Sequence, residues 1–326
     1  MARYVTPTRP SAARNAGDDY GVSDSPDWRE VDWPAHQHSL EIGGVQVNYA
    51  DIGEQGDNDA CPLVFVHGLG GQWQNWLENI APFAADRRVV APDLPGFGAS
   101  AMPDEKITIG YYAGVVAELI DRLELGPCIV VGNSMGGYVS AELAIERSEL
   151  VERLMLVSAA GVSQMDVHKR PVTAVAKVIA LTTTMVVARL RATARRPHLR
   201  HLTLGFVARH PSRLKADLAF EGFMSGTGRP GFEPALRANL EFDFRDRLPD
   251  IGCPVLIVWG EKDMIIPVRD ADTFLELISG SRKILMEDTG HVSMAERPVT
   301  FNGHLRDFLA YAVDRGGELE SEPAGG

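Results

Sequence analysis

A chain of 326 residues, 45% hydrophobic and 23% charged, is long and apolar enough for one large α/β domain or two smaller units. Its formal net charge of −12 repels phosphate backbones, which argues against nucleic acid as a partner and favours solubility. Cys61, Cys128 and Cys253 form no CxxC pair and each precedes an apolar run, so they read as reduced core thiols rather than a disulfide framework or a metal site.

Residues 1–38 are rich in Pro, Ala, Asp and Arg and lack a period. They are expected to form an N-terminal extension, partly disordered, with Trp28 and Trp33 as anchors. No apolar stretch follows the early arginines, so no signal peptide is expected. Short β-branched runs then alternate with helical patterns. Strands are predicted at 45–49, 63–66, 88–91, 129–132, 154–157, 255–259 and 283–286. Several (LVFV, IVVG, VLIVW) are apolar at successive positions, the mark of strands covered on both faces. One helix follows Thr108 as its cap, another starts at Ser134 and a last one follows Pro298.

Alternation breaks over 162–247, where helical patterns persist without a strand of core quality. The expected fold class is α/β: a doubly wound, mostly parallel sheet built from 39–161 and 248–313, with 162–247 as an inserted helical cap. Residues 314–326 read as a disordered acidic tail. The longest apolar run, 178–190, is broken by Thr182, Thr183, Thr184 and Arg189 and is shorter than the roughly 20 residues of a spanning helix. No integral membrane segment is expected, and the chain reads as cytoplasmic.

Three segments carry chemistry. In CIVVGNSMGGYVSAELA an apolar strand ends at Gly132, Gly132-Asn133-Ser134-Met135-Gly136 turns, and a helix begins. A G-x-S-x-G turn between a buried strand and a helix lifts a serine hydroxyl clear of the sheet, with the helix N-terminus favouring negative charge in front of it. A serine attacking a carbonyl also needs donors for the oxygen that becomes negative. The backbone N–H of Met135 is one, and that of Leu69 in LVFVHGLGG is the other; His67 reads as a residue that shapes this loop. Asp263, in VLIVWGEKDMIIP, lies just past a buried strand, with Glu261 as its rival. His291, in MEDTGHVSMAERP, lies on the loop after the last strand. Ser134, Asp263 and His291 then serve as nucleophile, orienting acid and general base of an acyl-enzyme mechanism that needs no metal or organic cofactor.

HGLGG, APDLPGFGAS, GNSMGG, WGEKDMIIP and DTGHVSMAERP together resemble the α/β-hydrolase superfamily, in particular its bacterial esterase and monoacylglycerol-lipase-like members, over about 40–313. The resemblance implies the Ser134, Asp263, His291 triad, the Leu69 and Met135 oxyanion donors, a structural role for Asp93 and Gly96, and a cap that shapes an acyl pocket. Epoxide hydrolases and haloalkane dehalogenases share the fold but use an aspartate nucleophile and an HGxP loop, from which Ser134 and Leu69-Gly70 depart. C–C bond hydrolases of aromatic degradation share the GNSMGG elbow, but tend to carry proline within the oxyanion glycines and tryptophan after the histidine, where this chain has Gly70-Gly71 and Val292.

In the cap, AVAKVIALTTTMVVARL together with Phe206, Phe220, Phe223 and Met224 would either line an acyl tunnel or pack the cap onto the sheet. The basic run RLRATARRPHLRH is either a transient contact for an anionic lipid interface or a solvated helix face. The expected substrate is a small carboxylic ester with an apolar acyl chain, a monoacylglycerol or similar monoester. A C–C bond hydrolase and a non-catalytic ligand-binding protein are the alternatives.

Overall fold

The computed structural model describes residues 6–53, 60–163, 191–224 and 229–310. Its strands are β1 (Gln37–Ile42), β2 (Val45–Ile52), β3 (Leu63–Val66), β4 (Val89–Pro92), β5 (Cys128–Asn133), β6 (Val151–Val157), β7 (Val255–Gly260) and β8 (Arg282–Met286). They form one sheet in the order β1-β2-β4-β3-β5-β6-β7-β8. β1 and β2 run antiparallel and close one edge; from β4 to β8 every pairing is parallel.

The strand sequences account for this. Along β3, Leu63 and Phe65 enter one core cluster and Val64 and Val66 the other, all fully buried. β5, β6 and β7 divide their side chains in the same way, so both faces of the sheet are covered. Helices α1 (Leu77–Ala84), α2 (Ile109–Arg122) and α3 (Met135–Glu146) follow β3, β4 and β5. The Thr108 hydroxyl caps α2 by accepting the Tyr111 N–H at 2.9 Å.

β1 lies outside the seven strands predicted. QHSLEI buries only Ile42, so it lacks the apolar run by which the others were recognised. Its signal is the turn that follows: Gly43 and Gly44 take φ of +55° and +78° in a two-residue hairpin that pairs Ile42 with Val45.

Between β6 and β7 the described residues contain helices and no strand: α4 (Arg191–Arg195), α5 (Pro197–Leu204), α6 (Ala216–Phe223) and α7 (Phe232–Glu241). The apolar stretch 174–190 and the tail 314–326 lie outside the described residues. The chain then resumes with β7, α8 (Arg269–Leu277), β8, α9 (Ser293–Glu296) and α10 (Pro298–Ala310). Among the described residues no helix is long and apolar enough to cross a membrane. Cys61, Cys128 and Cys253 are free thiols.

From Pro10 to His36 the chain lies against the domain in short 3-10 turns. Trp28 is buried, and its indole N–H donates to Glu78 at 2.9 Å; Trp33 donates to the Trp28 carbonyl and packs its ring 4.9 Å from Trp73. Tyr20 is a third anchor, 2% exposed.

Phe301 of α10 is fully buried beside Trp76 in the cluster beneath the sheet. Phe301→Ala is expected to lower stability by about 3–5 kcal/mol, read as a fall in the urea midpoint. A loss below about 1 kcal/mol would mean that α10 is not part of the cooperative core.

Candidate active site

The elbow is where β5 gives way to α3. Ser134 sits at φ +57°, ψ −119°, a region that non-glycine residues rarely occupy. Its N–H donates to the Val157 carbonyl at 2.9 Å, and its carbonyl accepts the Ala160 N–H at 2.9 Å, so the end of β6 and the segment just past it hold the turn on both sides. Close approach explains Gly136: a Cβ there would collide with the Val66 carbonyl. Ser134 remains partly exposed, whereas α3 behind it is buried over most of its length, with its N-terminus directed at the serine.

The histidine and the acid meet. His291 Nδ1 lies 2.8 Å from Asp263 Oδ2, both residues being 4% exposed. The other oxygen, Oδ1, accepts the N–H groups of Ile265 at 2.8 Å and Ile266 at 2.9 Å, which fixes the carboxylate plane. With Nδ1–H donating to the carboxylate, Nε2 keeps its lone pair. Glu261 is half exposed and pairs with Lys262, so of the two acids only Asp263 reaches the histidine. The Asn133 side-chain amide donates to the carbonyls of Val157 and His291, at 3.1 and 3.3 Å, tying the residue before Ser134 to the histidine loop.

Leu69 lies in the loop after β3. A Cβ on Gly68 would stand 3.1 Å from the Ser134 Cβ, so this loop runs against the turn that carries Ser134. The Gly68 carbonyl accepts the Gly71 N–H at 3.0 Å and lies 2.8 Å from His67 Nδ1. Since the Leu94 N–H donates to His67 Nε2 at 2.9 Å, the proton must be on Nδ1, which donates to that carbonyl. In a trans peptide the N–H points opposite to the C=O, so pinning this carbonyl turns the Leu69 N–H the other way. Met135 is the first residue of α3, where helix N–H groups have no partner within the helix. Burial pushes the fully enclosed His67 down to about 4, so it is neutral at pH 7.

Asp93 is buried and accepts the N–H groups of Trp73 and Ala99, both at 2.8 Å, and the Asn48 amide at 2.9 Å. It therefore organises the DLPGFG loop and lies apart from the Asp263–His291 pair.

The model of the alpha/beta hydrolase fold matches residues 62–298. The chain belongs to the α/β hydrolase fold family. It is 30% identical over 296 residues to the dihydrolipoyllysine-residue acetyltransferase component of the acetoin cleaving system of Cupriavidus necator, covering 86% of this chain and 71% of that protein. It is also 30% identical over 292 residues to a 2-hydroxy-6-oxo-2,4-heptadienoate hydrolase of Pseudomonas putida, covering 82% and 94%. Among solved structures, a serine hydrolase involved in carbazole degradation superposes with a TM-score of 0.63 at 25% identity, over 85% of this chain and 99% of that one.

Around this α/β-hydrolase core, sequence reasoning passed over Glu296. Its carboxylate is fully buried and accepts the N–H groups of Gly290 and Val292, on either side of His291. The only signal in SMAE is one acid among small and apolar residues. The inserted helices reach the site by polar contacts: the Gln72 amide donates to the Glu221 carbonyl at 2.7 Å, and the His291 N–H to the Val207 carbonyl at 2.8 Å. Met224 is buried in a small cluster with Ala194, Leu204 and Ala219, against which Phe220 and Phe223 pack, while Phe206 is exposed. In the described part of the basic run, Arg195 and Arg196 are exposed, but Arg200 is buried and donates to the Ala194, Pro211 and Ser212 carbonyls.

His67 gives a pH dependence whose sign follows from its environment. An unfolded imidazole protonates near 6.5 and the folded one only near 4. Its neutral form thus contributes fully above about pH 6.5, and stability is lost as pH falls toward 4, by up to about 3 kcal/mol. Urea denaturation between pH 7 and pH 4.5 should show a shallower acid loss for His67→Gln than for the wild type. Parallel slopes would contradict the assignment.

Proposed function

We propose that this α/β hydrolase cleaves carboxylic esters with an apolar acyl chain, a monoacylglycerol or similar monoester, through an acyl-enzyme on Ser134. One observation carries the reading: the buried Asp263–His291 hydrogen bond engages Nδ1, while Asn133, next to Ser134 on its strained turn, donates to the His291 carbonyl. His291 takes the Ser134 proton as the oxygen attacks the acyl carbon. The oxyanion of the tetrahedral adduct is received by the N–H groups of Met135 and Leu69. His291 then returns the proton to the departing alcohol. Water, deprotonated by the same imidazole, attacks the acyl-enzyme, releases the acid and restores the Ser134 hydroxyl. Asp263 holds the imidazole tautomer and stabilises the imidazolium formed in each half.

A second reading, cleavage of a C–C bond next to a carbonyl, is favoured by the 30% identity to the heptadienoate hydrolase across 94% of that protein. Gly70-Gly71 in the loop after β3 and Val292 after the histidine speak for the ester. Both readings use the same acyl carbon chemistry and differ in the leaving group.

p-Nitrophenyl esters of graded chain length, offered beside a vinylogous diketone, separate the two. Ester turnover that rises with acyl length is expected. Ser134→Ala should lose at least about a thousandfold in kcat and Asp263→Asn about a thousand- to ten-thousandfold. Faster consumption of the diketone would transfer the assignment to C–C cleavage. Failure of a fluorophosphonate to label Ser134, with no turnover of either substrate, would leave only a ligand-binding role.

A further inference from the structure

We propose that Tyr20, on the N-terminal segment, is a positioning residue that orients the His291 imidazole through the Glu296 carboxylate. The proposal rests on the reading of His291 as general base.

The Glu296 carboxylate accepts from the peptides on both sides of His291, from the insertion and from the N-terminal segment. Oε1 accepts the Gly290 and Val292 N–H groups, at 3.0 and 3.3 Å. Oε2 accepts Gly290 at 2.9 Å and Arg209 at 2.8 Å, and takes the Tyr20 hydroxyl at 2.5 Å. One carboxylate therefore holds the peptides on both sides of the histidine, and Tyr20 is its side-chain donor. The Tyr20 oxygen accepts the His210 N–H at 2.7 Å, and its ring meets the His210 ring edge-on at 5.2 Å. The Gly21 N–H donates to the Glu296 carbonyl at 2.7 Å, so the segment grips both ends of the same residue.

The grip is fastened on either side. Asp19 accepts from Arg297 at 2.9 Å and from Thr300 at 2.7 Å. The Thr8 hydroxyl donates to the Arg209 carbonyl at 2.6 Å, and Asp288 joins Arg209 and His210 to the strand-end turn ahead of His291. Burial disfavours the charged form of Glu296, and the donors around it oppose that cost. Removing the tyrosine O–H leaves Oε2 only the Gly290 and Arg209 N–H groups, so the carboxylate turns toward these or takes up a proton. Either response moves the Gly290 and Val292 peptides, and with them the direction of Nε2.

Tyr20→Phe in the full chain tests this. Stability by calorimetry, kcat and KM on the best p-nitrophenyl ester, the rate of fluorophosphonate labelling at Ser134, and the downfield proton resonance of His291 Nδ1–H are read together. The expected result is a folded variant with kcat and labelling lower by about 10- to 100-fold, KM unchanged and the resonance displaced. Arg29→Ala, which releases the same segment at Asp217 on α6, should lose stability yet keep kcat. A folded Tyr20→Phe with wild-type kcat, labelling and resonance overturns the proposal. So does a loss of kcat matched by Arg29→Ala at equal loss of stability. Should Tyr20→Phe not fold, difluorotyrosine at position 20 keeps the shape and changes only the acidity of the hydroxyl; the resonance must then move, or the proposal fails. A wild type that neither labels nor turns over esters fails the hydrolytic reading, and the resonance still decides the role of Tyr20.

Discussion

The backbone of Ser134 occupies a conformation that costs on the order of 1–3 kcal/mol, and the rest of the site is arranged around keeping it there. β5 supplies the residue from the centre of the sheet, β6 captures its N–H and the N–H of Ala160 captures its carbonyl. α3 begins at once because Gly136 lets the helix pass against the Val66 carbonyl. That contact joins β3, β5 and α3 into one unit. The two segments bearing Leu69 and Met135 are therefore set by packing among fully buried residues rather than by flexible loops.

Within this frame two buried histidines behave in opposite ways for one reason. In His67 both ring nitrogens are committed to the backbone, to Gly68 and Leu94, and burial keeps the ring neutral. Among the described residues, His291 commits a single ring nitrogen, to Asp263. The carboxylates divide likewise. Asp93 spends its oxygens on N–H groups, Glu296 on N–H groups and the Tyr20 hydroxyl, and both hold loops; Asp263 spends Oδ1 on the backbone and Oδ2 on the imidazole. Reactivity in such a site is the valence that the scaffold has not consumed.

This division explains what could be read from the amino-acid sequence. The central parallel strands β3 and β5 to β7 were legible because a strand covered on both faces is apolar at nearly every position. Ser134 and Asp263 stood out because each lies just past the end of such a strand, and His291 because it sits on a glycine-marked loop between the last predicted strand and the last helix. β1 was missed because an edge strand with one buried side chain has no apolar run to show. Glu296, Asn133 and Tyr20 were missed for another reason. They act on backbone groups, Asn133 on Val157 and His291 and Tyr20 on His210 far away in the chain, Glu296 on Gly290 and Val292 within its own loop. A residue type in a spacing pattern cannot announce a partner that has none.

The same logic bears on how the segments outside the sheet relate to the chemistry. The inserted helices and the N-terminal segment touch the core at the histidine loop and the Gln72–Asn75 turn through backbone carbonyls and N–H groups: Val207, Arg209, Glu221, Gly222 and Gly21. Contacts of that kind depend on the path of the chain and tolerate change in side chains. Side chains facing the substrate can then vary without disturbing the register of His291. The bidentate Arg29–Asp217 pair and the Asp19–Arg297 pair go further, since they link the N-terminal segment both to α6 of the insertion and to the start of α10. Each pair is partly exposed and worth little alone. Together with the buried Tyr20 hydroxyl they fasten the N-terminal segment at separate points, at Arg29 to the insertion and at Asp19 and Tyr20 to the loop and helix that follow β8.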